Sequence, residues 1–187
     1  QLQILVQNSH DGNCAVKFFV GVFRAVCANG LICGDIKNYI KVNHKGQDFE
    51  KKIDIAIDKT IKQFAGTRYM IELFQETEDT QNIGHQLAQF VSGQLLKDKK
   101  WIDSDLSYLI NNRRRGNDYG KDIYTAFNVV QENMMLGGMP YSIVGNKLGD
   151  DGKFPLTRQK TRGIKAGSDR AVKLNKLLWQ ELLRLAA

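Results

Sequence analysis

Residues Phe49–Gln75 read FEKKIDIAIDKTIKQFAGTRYMIELFQ, and this stretch sets the architecture. Ile53, Ile57, Ile61 and Phe64 recur at helical spacing, which predicts one long helix with that stripe turned inward and a kink available at Gly66. Toward the C-terminus, a second helix is expected over Thr80–Leu96, with Ile83, Leu87, Phe90, Val91 and Leu95 inward. A short helix follows over Ser104–Ile110. Another is expected over Asp118–Leu136, carrying Ile123, Phe127 and Val130 and closed by Gly137-Gly138. Residues 139–167 show no clear periodicity. Ser168 is placed to cap a last helix whose apolar side holds Val172, Leu178, Trp179, Leu182 and Leu185.

Toward the N-terminus the pattern is mixed. Leu2–Gln7 reads as a strand and Asn8–Gly12 as a turn. Cys14–Ala28 reads as a helix, with Phe18, Phe19, Val22 and Val26 on one face and Asn29-Gly30 as its stop. Leu31–Cys33 and Ile36–Val42 read as strands. The sum is an α+β fold, helix-rich, with a small antiparallel sheet packed with helices, and residues 1–187 form a single domain.

Composition narrows the classes. A chain of 187 residues with 42% hydrophobic content is that of a globular domain, not a disordered one. Two prolines against 17 glycines exclude collagen-like and polyproline chains. No stretch supplies the roughly 18 apolar residues of a membrane span, so no membrane partner is expected. The first residues do not read as a signal peptide. The missing initial Met points to a piece of a longer chain. Cys14, Cys27 and Cys33 are odd in number and form no CxxC, which fits buried thiols in a reducing cytoplasm rather than a disulfide frame or a zinc site. No metal and no cofactor is expected, and homo-oligomerisation is left open.

The formal charge of +7 is uneven. Residues 147–187 hold ten basic against four acidic groups, a local excess of +6, whereas 47–94 hold five against eight. Two basic segments stand out as phosphate-contacting candidates: Arg113, Arg114 and Arg115, and the run containing Arg158, Lys160, Arg162, Lys165 and Arg170. Tyr119, Tyr141 and Phe154 lie near them and are candidates for stacking on unpaired bases. The competing reading of either segment is a solvated basic surface.

Catalytic signals are weaker. His10 beside Asp11 invites a general-base role, with Glu132 as a third group, but only three histidines are present and Ser9 and Asp11 equally suit a turn. Asp35-Ile36-Lys37 matches a D-x-K nuclease pattern that is common by chance. Asn128, Gln131 and Glu132 share a helical face, which suits either a ligand-binding row of amides or a buried hydrogen-bond network.

Three segments taken together resemble a known family. They are NSHDG (8–12) with FRAVCANGL (23–31); FNVVQEN (127–133) ending in Gly137-Gly138; and TRGI (161–164) with VKLNKLLW (172–179). Their order and spacing are similar to those of the phage- and plasmid-like domain of unknown function 932. The resemblance implies a protein of phages, plasmids or integrated elements, and a chain that forms the C-terminal part of the family's usual length. It implies nothing functional for 47–117, a variable region. A nucleic-acid-binding role, including single-strand DNA binding or annealing, is the expectation drawn from charge and setting. A nucleotide- or nucleic-acid-processing enzyme and an inhibitor or adaptor of host defence are the alternatives.

Overall fold

The computed structural model describes residues 2–7, 15–22, 40–43, 48–97, 101–145, 154–165 and 168–187. The fold is α+β, with helix in the majority and two three-stranded antiparallel sheets among the described residues. The chain divides into two compact units, residues 1–73 with 166–180 and residues 74–165 with 181–187.

The first unit is built on β1 (Leu2–Gln7), β2 (Val16–Val22) and β3 (Ile40–Val42), in that order, with β2 central. Here the expected helix over Cys14–Ala28 is corrected: residues 16–22 are a strand. Val16, Phe18 and Val42 are buried while Lys17 and Lys41 are not, a period of two rather than 3.6. Pairing decides between the two periods, since Val6 sits opposite Phe18 and Phe18 opposite Ile40. The rest of that segment, and the strands expected at 31–33 and 36–39, lie outside the described residues. The helix α1 (Phe49–Glu76) runs 28 residues, as its periodicity predicts. Phe49, Ile53 and Ala56 pack with Val16, Phe18, Ile40 and Val42 to form a small core. Ile57 and Ile61, expected inward, are exposed. The last helix, α5 (Asp169–Leu185), begins where Ser168 Oγ accepts the Ala171 N–H at 3.2 Å. Within this unit it buries Ala171, Leu174, Leu178 and Trp179, and its buried Asn175 donates to the Ala171 carbonyl at 2.8 Å.

The second unit holds α2 (Ile83–Leu96), β4 (Trp101–Ser104), α3 (Ser107–Asn111), a 3-10 turn (Gly116–Tyr119), α4 (Ile123–Leu136), β5 (Pro140–Val144) and β6 (Leu156–Lys160). α4 is its centre: Phe127, Val129, Val130, Met134 and Met135 are all buried, so the helix is covered nearly all round. Asp122 starts it by accepting the Thr125 N–H at 2.8 Å. α2 lays Ile83, Leu87, Ala88, Val91 and Leu95 into the same core. The hairpin β5–β6 occupies the stretch that shows no periodicity in sequence. Its strands pair from Pro140↔Lys160 to Val144↔Leu156, and β4 completes the sheet in the order β4-β5-β6.

Candidate nucleic-acid interface

Sheet alternation sorts the hairpin into two faces. Tyr141 and Gln159 are opposite each other on one face, and the buried Tyr141 donates its hydroxyl to Gln159 Oε1 at 2.7 Å. Ser104, next in that row, shares a 2.7 Å hydrogen bond with Ser92 of α2, so this face turns toward the helices. The other face carries Pro140 and Ser142 with their partners Lys160 and Arg158. All five residues of β6 are exposed, and β6 is an edge strand. Arg158 and Lys160 therefore stand side by side on a solvent-facing sheet surface, with Leu156 on the same face at 67% exposure and Phe154, just before it, at 52%. Tyr141 is not available to stack, because it belongs to the inner face.

Beyond β6 the chain is pinned to the end of α4. Gly138 N–H donates to the Thr161 carbonyl at 2.8 Å, Thr161 N–H to the Met139 carbonyl at 2.9 Å, and Ile164 N–H to the Met135 carbonyl at 2.8 Å. Ile164 is buried; Arg162 and Gly163 between the anchors are exposed. The fit explains Gly137: its φ is +71°, and a Cβ there would lie 2.5 Å from the Arg162 carbonyl carbon and the Gly163 nitrogen. Two of the recognisable sequence segments, Gly137-Gly138 and Thr161-Arg162-Gly163, are thus one packed unit that holds Arg162 outward. The side chains of Arg158, Lys160 and Arg162 make no hydrogen bond or ion pair with another described residue. Lys165 is exposed at the end of this segment, and Arg170 is exposed in α5, which belongs there to the other unit.

The arginine triplet is placed differently. Asp118, only 1% exposed, accepts the backbone N–H groups of Arg114 and Arg115, both at 3.1 Å. Arg113 donates to the Asp118 carbonyl at 2.8 Å and lies 5.6 Å from the Tyr119 ring centre. Arg114 reaches Asn133 Oδ1 and the Tyr108 hydroxyl, each at 3.2 Å. Arg115 pairs with Glu132 at 2.8 Å, with side-chain exposures of 19% and 11%. Asn133 donates in turn to the carbonyls of Leu109 and Asn112, both at 3.0 Å. The triplet is thus woven into the base of α3 and α4, and Glu132, the one catalytic candidate within the described residues, is the counter-ion of Arg115. The amide row on α4 is in part this network. His10 and Asp11 lie outside the described residues.

A concavity of about 370 Å³ lies between the start of α2 and α4, lined among others by Asp79, His85, Arg113, Lys121 and Val129. Asp79 and Asp122 on its wall already serve as helix caps, accepting the N–H groups of Gly84 at 3.0 Å and Thr125 at 2.8 Å. Among the described residues, no three His, Cys, Asp or Glu side chains are grouped to hold a metal ion, and no helix is long and apolar enough to cross a membrane.

Fold and site define an α+β chain with a free basic sheet face and a separate arginine turn hydrogen-bonded into the helices. The chain belongs to the family described as "Domain of unknown function (DUF932)", which matches residues 1–179. It is 29% identical over 189 residues to the UPF0380 protein YfjQ of Escherichia coli (strain K12) and 26% identical over the same length to the UPF0380 protein YafZ of that strain. Each alignment covers 95% of this chain and 60% of the relative, so the chain spans about three fifths of their length. No solved structure matches.

Proposed function

We propose that this chain is a nucleic-acid-binding protein of a mobile genetic element, and that it holds a single strand on the outer face of β4–β5–β6. The observation that carries the reading is the set Arg158, Lys160 and Arg162, exposed and without carboxylate partners among the described residues. Cations left free by the fold are what phosphates recruit, with release of counterions. The exposed Phe154 and Leu156 beside them favour unpaired bases, which offer apolar faces that duplex DNA keeps stacked. The family resemblance supports the mobile-element setting.

Titration of a fluorescent single-stranded oligonucleotide against salt tests it. Three phosphate contacts, from Arg158, Lys160 and Arg162, give a log–log slope of about −2 on a single strand. Arg158→Ala should flatten the slope by a little under one, and Phe154→Ala should weaken binding to single strands more than to duplex. A slope near zero, or no binding at low salt, overturns the proposal.

A further inference from the structure

The outer face of β4–β5–β6 has three lanes of different chemistry, and they lie in register. The β6 lane is cationic: Arg158 and Lys160 stand two residues apart, with Leu156 before them. The β5 lane is low and uncharged, made of the half-buried Pro140, Ser142 and Val144 opposite Lys160, Arg158 and Leu156. The β4 lane carries a single carboxylate. Asp103 is exposed and in register with Ser142, and hence with Arg158 beyond it. Its side chain makes no hydrogen bond or ion pair with another described residue. Asp105, two residues on, is already engaged, since its Oδ1 accepts the Ser107 N–H at 3.1 Å. Arg158 and Asp103 are thus about 9–10 Å apart with Ser142 between them, too far to neutralise each other and both open to a ligand that spans the floor.

Resting on the nucleic-acid reading above, we infer that Asp103 makes this face select guanine in the single strand it holds. A nucleotide whose phosphate sits on Arg158 lays its sugar and base across Ser142, and the edge of the base farthest from the sugar arrives at β4. The lanes match the polarity of a nucleotide: a cation for the anionic end, and for the other end a carboxylate that only accepts hydrogen bonds. In an unpaired base the Watson–Crick edge is open to such a group. Among the DNA bases, guanine alone presents two adjacent donors there, the N1–H and the N2 amine, which match the two oxygens of a carboxylate as a bidentate pair. Adenine and cytosine set their amine beside a ring-nitrogen acceptor, and thymine sets its one N–H between two carbonyls. Each of these three turns an acceptor toward the carboxylate. A purine also reaches farther across the floor than a pyrimidine. Asp103 therefore discriminates more than it attracts. Phosphates on the β6 lane lie about a Debye length away, roughly 8–10 Å, so their repulsion is largely screened, while bases that cannot donate twice are rejected. The base at the Arg158 register is the one read, because Asp103 is the one carboxylate of the three strands.

Fluorescence titration of the full chain with short oligothymidylates of equal length tests it. One strand carries a single central guanine, and another carries hypoxanthine there, which lacks only the N2 amine. Wild type should bind the guanine strand about five-fold more tightly than the hypoxanthine strand, the gain that one added hydrogen bond brings. Asp103→Asn should bring that ratio to about one, because an amide pairs equally well with the N1–H and O6 that both bases share. The same variant should bind plain oligothymidylate more tightly than wild type, because a negative charge leaves the face. The position is exposed, and circular dichroism checks that the variant is folded. Equal affinity for the two strands in wild type, with salt-dependent binding intact, overturns the guanine site and leaves the nucleic-acid reading standing. A guanine preference that survives Asp103→Asn overturns the assignment to Asp103. Absence of binding to all of these strands overturns both.

Discussion

Arg115→Ala separates a structural cation from a ligand-binding one. The wild-type guanidinium sits 2.8 Å from Glu132 Oε1, and the two side chains keep only 19% and 11% of their exposure. Removing one member of a buried pair takes a partner from the other charge in a poorly hydrated place, which costs about 3–5 kcal/mol for full burial. This pair retains some solvent contact, so a loss near 3 kcal/mol is expected, or a drop of roughly 6–12 °C in midpoint for a chain of this size. The backbone N–H of Arg115 keeps its 3.1 Å bond to Asp118 in the variant, so the loss reports the side chain. Urea unfolding followed by circular dichroism measures it. The double change Arg115→Met with Glu132→Leu should recover most of the stability, because a well-packed apolar pair replaces a buried ion pair at little cost. DNA affinity per folded molecule should stay at the wild-type value in the single variant. A stability change within about 0.5 kcal/mol, together with a fall in affinity like that of Arg158→Ala, would refute the reasoning and return the triplet to the binding surface.

Three further outcomes are expected. Arg162→Lys keeps the charge but loses the planar fork, and should weaken single-strand binding by about 1 kcal/mol, roughly five-fold, in a titration at fixed salt; Arg114→Lys, which breaks bonds to Asn133 and Tyr108, should lower stability and leave affinity alone. Gly137→Ala forces a Cβ against the Arg162–Gly163 backbone at a φ of +71°, and should cost about 2 kcal/mol or more in chemical denaturation while lowering DNA affinity by displacing Arg162. The hydrogen bond from Arg184 holds the Glu181 carboxyl below the usual carboxylate range, so its contribution is present at neutral pH and is lost as pH falls through the lowered value; Glu181→Gln should therefore show a shallower loss of stability in acid than wild type, and an identical acid profile would count against the pairing.

How far the sequence could be read depended on whether a segment's partner was close by in the chain. α1 was legible because Ile53 and its helical neighbours repeat over many turns; only the direction of the stripe at Ile57 and Ile61 escaped, since periodicity shows that a face is apolar and not what covers it. Residues 16–22, VKFFVGV, satisfy both an i+4 and an i+2 pattern. The choice was made by β1 and β3, which no local rule contains. β6, LTRQK, has no apolar alternation because its whole surface faces solvent; it is a strand only through its bonds to β5. The family-defining segments were visible, but their reason was not: Gly137 is needed because residues 161–163 arrive from more than twenty positions away.

The same logic explains why one basic segment is free and the other is not. A cation is available to a ligand only where the fold supplies no acceptor. The triplet at 113–115 follows α3 and meets the inner turns of α4, where Glu132 and Asn133 wait, and Asp118 closes the 3-10 turn beneath it. β6 meets β5, whose residues PYSIV include no acid. The nearest acidic residue in its row is Asp103 on β4, in register with Ser142 and thus two strand spacings from Arg158, about 9–10 Å and beyond direct pairing. A neutral central strand therefore insulates the basic edge from the only carboxylate of the sheet. Pinning by Thr161 and Ile164 then fixes the backbone of Arg162 before any ligand arrives, which removes about 1–2 kcal/mol of ordering cost per residue from the binding step. Charge count alone treats Arg114 and Arg162 as equivalent; strand order and one glycine make them opposites.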